Sequence, residues 1–486
     1  MLFNSLDFAI FLPVVFLLYW FAAQKNLKLQ NTLIVISSYI FYGWWDWRFL
    51  SLILLSTLVD YSVGLGLLKQ ENLTKRKILL WISVLVNLGL LGFFKYYNFF
   101  LDNFITAFSF FGSPIKANSL NIILPVGISF YTFQTLSYTI DVYKRKLEPT
   151  KDFIAFSAFV SFFPQLVAGP IERAANLLPQ FYKKRIFNYS KAVDGMRQIL
   201  WGLFKKIIIA DNCAEYANLI FNNSENYNGS TLVLGTIFFS FQIYGDFSGY
   251  SDIAIGTSRL FGVNLKQNFA FPYFSRDFAE YWRRWHISLS TWFRNYLYIP
   301  LGGSRGSTLM KVRNVFVIFI VSGFWHGANW TYILWGALNA IYILPLVLTN
   351  NNRNNLEIVA KGRFLPSIKE LSLMLLTFGL NLFAWILFRA ESVNHALQYS
   401  SKIFSKSLFV LPKGSDFIGT TLHPFTILTL ISIFMLIEWL GRGDKFALEK
   451  ILLNINKYLR ALIYFILMFY IITHISNEQE FIYFQF

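Results

Sequence analysis

Apolar runs of membrane-spanning length recur along this 486-residue chain, and nothing else in the sequence restricts the possible folds as strongly. They lie near residues 6–23, 32–48, 49–68, 78–100, 121–141, 194–221, 231–263, 312–325, 330–349, 370–389, 424–441 and 461–476. Inside a hydrocarbon core about 30 Å thick every backbone N–H and C=O must be satisfied within the protein, which leaves helices and closed barrels. Runs near the roughly 20 residues a helix needs to cross point to helices. Only 14% of residues are charged and 55% are hydrophobic, against about 25% charged in soluble proteins. The stretches between runs are too short to bury a core of their own. The expectation is therefore an all-α polytopic membrane protein of about 11–13 transmembrane segments, forming a single integral membrane domain over 1–486.

The formal net charge is +17, yet it does not imply nucleic acid. Lys and Arg collect in short loops: Lys25/Lys28, Lys69–Lys77, Lys144–Lys151, Arg173–Lys191, Lys266–Arg313, Arg353–Lys369 and Arg442–Arg460. That is how cytoplasmic membrane loops look, so the expected partner is the lipid bilayer and no nucleic acid. No Lys or Arg precedes Lys25, which argues for a retained first helix with its N-terminus outside. Alternation accommodates every basic loop except the pair at 142–152 and 171–193, which flank the apolar run Phe153–Gly169. That run contains Pro164 and is followed by Pro170, so it is expected to be a re-entrant hairpin. Both termini then face away from the cytoplasm. The single cysteine, Cys213, excludes an internal disulfide and reads as packing. The histidines are scattered without metal-ligand spacing, so no metal is expected. No internal repeat is evident, which weakens an inverted-repeat transporter reading.

The residues from Val315 to Trp335 carry the chemistry. An apolar run ends in Ser322-Gly323-Phe324-Trp325-His326-Gly327, and a second begins at Trp330. If Lys311 and Arg313 mark a membrane face, roughly 13 residues rising about 1.5 Å each put His326 about 20 Å into the core. A titratable group there is costly and points to function. Desolvation favours the uncharged imidazole, and an uncharged imidazole can accept a proton from a hydroxyl or could instead take up the acyl group covalently. Gly323 and Gly327 allow backbone or substrate to come close. Trp325 and Asn329, on either side of His326, are candidate substrate contacts.

The segment Asp277–Tyr298 is too charged to span. Trp285, Leu289, Trp292 and Tyr296 recur at helical spacing, which predicts one amphipathic helix at the cytoplasmic interface. His286 borders this stripe and could either point into the bundle or anchor the interface. Arg283, Arg284 and Arg294 could meet the phosphates of a CoA-type donor or serve as interface anchors. Within 231–263, Asp246 and Asp252 imply a water-filled cavity, paired charges or the caps of a broken helix. Lys205 and Lys206 read as snorkelling or as partners of Asp211 and Glu215.

No H-E-x-x-H, G-x-x-x-x-G-K-[ST] or G-x-G-x-x-G signature occurs. The chain does contain L-F-N-S-L-D-F-A-I-F-L-P near its start, F-F-P-Q-L-V-A-G-P-I-E-R at 162–173 and D-F-S-G-Y-S-D-I-A-I-G at 246–256. Further on come Y-W-R-R-W-H-I-S-L-S-T-W-F-R-N-Y-L-Y-I-P-L-G-G-S-R at 281–305, S-G-F-W-H-G-A-N-W at 322–330, F-A-W-I-L-F-R-A at 383–390 and F-I-Y-F-Q-F at 481–486. In these segments the chain resembles the membrane-bound O-acyltransferases (MBOAT), in the bacterial branch of alginate and peptidoglycan O-acetylases. The resemblance implies a helical bundle with re-entrant and interfacial helices around a central tunnel. It implies His326 as the catalytic histidine and His286 as the second signature polar position.

The same resemblance implies transfer of acetyl from cytoplasmic acetyl-CoA, with no bound cofactor, to an extracytoplasmic acceptor for polysaccharide O-acetylation. It also implies a partner of the SGNH-hydrolase type and a place in the cell (inner) membrane. Two alternatives stay open: D-alanyl transfer to teichoic acid from a carrier-protein thioester, and ion or solute transport through Asp246, Asp252 and the histidines.

Overall fold

A computed structural model describes residues 1–112, 118–474 and 481–482. Among these residues the regular structure is helical throughout, without a strand. Five stretches are long and apolar enough to cross a membrane: Leu27–Lys69, Leu73–Phe110, Thr308–His326, Trp330–Leu348 and Ile368–Arg389. Leu6–Ala22 and Pro424–Leu440 are shorter apolar helices. The chain is a multi-pass membrane protein. It divides into two compact units, residues 1–192 with 258–265, and residues 193–257 with 266–486.

The first unit is built on α1 (Leu6–Leu17), α2 (Leu27–Asp46), α3 (Leu50–Lys69), α4 (Leu73–Leu91), α5 (Tyr97–Phe110), α6 (Ile128–Tyr143) and α7 (Phe153–Ser161). Side-chain caps start several of these helices: Ser5 accepts from the Phe8 N–H, Asn26 from Lys28 and Asn72 from Thr74. Each takes up a donor that the first turn leaves without a partner. The interior of the unit contains a polar knot at Asp60. Asp60 of α3 accepts hydrogen bonds from Ser83 and Asn87 of α4 and from Thr139 of α6, and Ser56 donates to Asn87. The Arg76 guanidinium donates to the carbonyls of Leu67 and Gln70 and of Val142 and Tyr143. A cation thus meets the negative ends of α3 and α6.

Helix α7 has nine residues, a rise of about 13 Å, too little to cross a core about 30 Å thick. It ends at Phe162, whose ψ of 106° leaves the helical region, and one turn, Phe163–Leu166, follows with Pro164 near its start.

The second unit takes residues from α8 (Tyr189–Leu203) and α10 (Gly229–Leu260), and contains α9 (Asp211–Asn222) between them. It continues with α11 (Phe278–Arg284), α12 (Ile287–Phe293), α13 (Thr308–His326), α14 (Trp330–Leu348), α15 (Ile368–Arg389), α16 (Val393–Ile403), α17 (Pro424–Leu440) and α18 (Lys457–Thr473). Helix α10 is buried almost continuously from Phe238 to Thr257, which is why it can carry polar residues that a lipid-facing helix could not.

Helices α13 and α14 form a tight hairpin. A Cβ at Gly323 would lie 2.1 Å from the Tyr332 carbonyl oxygen, and one at Gly336 would lie 2.3 Å from that of Phe319. Two backbones therefore touch where a larger residue would hold them apart.

Candidate active site

His326 is the last residue of α13 and is 4% exposed. The chain turns back at once, because Asn329 caps α14 by accepting from the Thr331 N–H and donates to the Glu391 carbonyl. Asn329 thereby holds the turn that follows the imidazole. A Cβ at Gly327 would lie 2.1 Å from the Tyr332 ring, so both glycines beside His326 serve the packing of the hairpin. Aromatic rings enclose the imidazole, with centroids at 4.9 Å for Trp325, 5.1 Å for Trp335 and 5.2 Å for Phe388. Trp335 also stacks with Trp385. This lining is apolar and excludes bulk water, the condition under which a positioned base is most effective.

His286 is 1% exposed and also lies near Trp325, with centroids 6.2 Å apart. Phe247 stands edge-on to it at 4.5 Å. Burial holds the His286 imidazole well below the ordinary histidine range, at about 3. The single helix expected over 277–298 is broken here. Helix α11 stops at Arg284, Trp285 is extended, and His286 adopts a left-handed conformation (φ 42°, ψ 55°) before α12 begins. The break has a local cause: the Ile287 N–H bonds to the Asn268 carbonyl, and the Ser288 N–H bonds to the Asn268 side chain. Trp285, Leu289 and Trp292 are nonetheless buried, as their spacing predicts.

Asp246 and Asp252 are held in ion pairs. Lys206 lies 2.9 Å from Asp246 and 2.7 Å from Asp211, while Lys205 pairs with Asp252, which also accepts from Gln198. Of the readings open at sequence level, paired charges describe these carboxylates. Lys206 meets Asp211 as expected. Glu215 accepts from the Thr421 N–H and hydroxyl. Asp246 also accepts from the Ile482 N–H at 2.6 Å, so Phe481 and Ile482 of the terminal motif are buried against the second unit. Residues 483–486 lie outside the described residues.

The three arginines differ. Arg283 donates to the carbonyls of Asn352 and Asn355, and Arg284 to Glu280 and the Ala270 carbonyl. Arg294 is exposed and borders a half-open groove of about 190 Å³, walled by Trp282, Phe293, Ile318, Phe319 and Ser322. Ser322 is one helical turn before His326, so the groove approaches the imidazole along α13.

Sequence segments far apart in the chain thus meet at one place. Phe247 comes from 246–256, His286 from 281–305, Trp325 and His326 from 322–330, and Trp385 and Phe388 from 383–390. Asn268 escaped the sequence reading, because one amide in the loop K-Q-N-F-A carries no periodic or motif signal.

The chain is 38% identical to the "Probable alginate O-acetylase AlgI" of Pseudomonas aeruginosa, covering 91% of this chain and 81% of that protein. It is 36% identical to the "Peptidoglycan O-acetyltransferase" of Helicobacter pylori, over 82% of this chain and 79% of the relative. A more distant similarity, 27% over 57% of this chain and 71% of the relative, is to the "Teichoic acid D-alanyltransferase" of Bacillus subtilis. The model of the membrane-bound O-acyltransferase family matches residues 40–386. This chain, an acyltransferase built into the membrane, belongs to the MBOAT family.

Proposed function

We propose that this enzyme transfers acetyl from cytoplasmic acetyl-CoA to an extracytoplasmic acceptor that feeds polysaccharide O-acetylation of the alginate or peptidoglycan kind. The observation that carries the reading is the pair of buried imidazoles, His286 and His326, that share the neighbour Trp325 in one aromatic lining. The names of the relatives at 38% and 36% identity support acetyl as the group moved.

In the reaction, the acceptor hydroxyl gives its proton to the His326 imidazole as its oxygen attacks the thioester carbonyl. The C–O bond forms, the C–S bond breaks, and the proton passes from His326 to the departing thiolate. A base placed in this way contributes about 10²–10⁴-fold. His286 orients the donor. Arg294, exposed at the groove, is the best placed of the three arginines to meet donor phosphates, with Arg283 and Arg284 bracing the loops beside it. Trp325 packs against both imidazoles, Asn329 holds the turn, and the pairs of Asp246 and Asp252 brace the surrounding helices.

The enzyme acts in the inner membrane with both termini extracytoplasmic, through a tunnel that links the two faces, and hands its product to an SGNH-hydrolase-like partner. Residues 1–486 work as one domain, consistent with a family match that runs through both compact units.

The test supplies the full-length protein in membranes with labelled acetyl-CoA or with an aminoacylated carrier protein. Label passing from acetyl-CoA to an acceptor supports the reading. Transfer from the carrier alone would make it a D-alanyltransferase instead.

A further inference from the structure

The surroundings of His286 fix which of its nitrogens carries the proton. Asn268 is fully buried. Its Oδ1 lies 3.2 Å from His286 Nδ1, 3.2 Å from the Ser288 N–H and 2.8 Å from the Ser288 hydroxyl, while its Nδ2 donates to Ser251 at 3.0 Å. A backbone N–H can only donate, so the Asn268 atom facing Ser288 must be the oxygen. The ring nitrogen of His286 that faces the same oxygen must then be the N–H. In an uncharged imidazole this leaves the lone pair on Nε2.

Asn268 also secures the backbone. Its carbonyl accepts from the Ile287 N–H at 2.8 Å, next to a His286 whose φ of 42° is unfavourable for a side-chain-bearing residue. Phe247 edge-on at 4.5 Å and Phe269 nearly parallel at 6.2 Å flank the ring. The amide, the backbone and the flanking rings all favour one ring orientation.

We propose that Asn268 is the positioning residue of His286, holding it as the Nδ1–H tautomer so that Nε2 meets substrate as a hydrogen-bond acceptor. His286 therefore accepts a hydrogen bond from an N–H or O–H of the donor, such as an amide of the thioester arm. It does not donate to the oxygen that gains charge as the thioester is attacked. What His286 does in turnover rests on the acyl-transfer reading, whereas its tautomer does not.

Two measurements on the full-length protein in bilayers test this. With isotope-labelled histidine, magnetic resonance distinguishes a protonated ring nitrogen from one with a lone pair, and His286→Gln identifies the signal. The expected result is protonated Nδ1 and bare Nε2 in the wild type, and a mixture of tautomers in Asn268→Leu. A wild-type Nε2–H overturns the inference, whether or not acyl transfer is found.

In acetyl-CoA turnover, Asn268→Leu should lower kcat at least about tenfold. Asn268→Asp keeps an acceptor for Nδ1–H and should recover most of the rate. Its acid limb should move to higher pH, because a carboxylate favours the imidazolium. Equal losses in both variants with an unmoved pH profile would reduce Asn268 to a packing residue. The KM for the donor should rise in Asn268→Leu, and a rise confined to the acceptor KM would overturn the contact of His286 with the donor.

Discussion

The indole of Trp325 stands edge-on to the His326 imidazole, with centroids 4.9 Å apart and planes at 73°. The same indole lies 6.2 Å from His286, so one side chain sets the spacing of both imidazoles. Trp325→Ala should cost about 3–5 kcal/mol as a buried large-to-small change, while Trp325→Phe keeps a ring against them and should cost less. Thermal unfolding of the detergent-solubilised variants checks this, and equal midpoints for the two would refute it.

His326→Gln keeps a similar size and one hydrogen-bonding end but cannot act as a base. Acetyl transfer should fall by about 10²–10⁴-fold with membrane insertion unchanged. A normally expressed Gln variant that turns over at the wild-type rate would remove His326 from the chemistry.

Lys206 neutralises Asp211 and Asp246 inside the second unit. Lys206→Met leaves both carboxylates facing an apolar chain, and losing one partner of a buried pair typically costs about 3–5 kcal/mol. Adding Asp246→Asn should restore part of that. A double variant no more stable than Lys206→Met would mean that the two charges are not coupled.

Glycines in membrane helices are not equivalent here. Gly336→Ala puts a Cβ 2.3 Å from the Phe319 carbonyl oxygen and should cost about 1–3 kcal/mol by forcing α13 from α14. Gly379, also helical, has nothing within 4 Å of such a Cβ, so Gly379→Ala should gain roughly 0.4–1 kcal/mol. The opposite signs are read from unfolding midpoints.

The basic loops predict that the C-terminus and the loop 171–193 face opposite sides of the membrane. Paired reporter fusions at these two positions measure this, and reporters active on the same side would refute the topology.

The helical class and the position of His326 at a junction of apolar runs were legible because burial in lipid leaves few options and a titratable residue there stands out. The break at Trp285–His286 was not legible. The spacing of Trp285, Leu289 and Trp292 fits a continuous helix, and what interrupts it is Asn268, distant in sequence and chemically unremarkable. The partners of Asp246 and Asp252 were hidden for a related reason. Composition reveals that a charge is buried, but the choice between water and a lysine depends on how α10 packs, which no local pattern encodes. Arg283 and Arg284 looked equivalent to Arg294 by spacing and type, and only the carbonyls of Asn352 and Asn355 and the carboxylate of Glu280 set them apart.

The hydrogen-bonded knot at Asp60 bears on how the chain is made. Helix α3 leaves the ribosome before the residues that satisfy its carboxyl group exist: Ser83 and Asn87 arrive with α4, and Thr139 only with α6. An aspartate at the centre of an isolated apolar helix disfavours insertion by about 2.5–3.5 kcal/mol. Helix α3 therefore enters lipid with less gain than its apolar length alone would give, until α4 and α6 supply these partners. Docking of α4 and then of α6 recovers that cost, so the knot ties the settling of α3 to the later arrival of both helices.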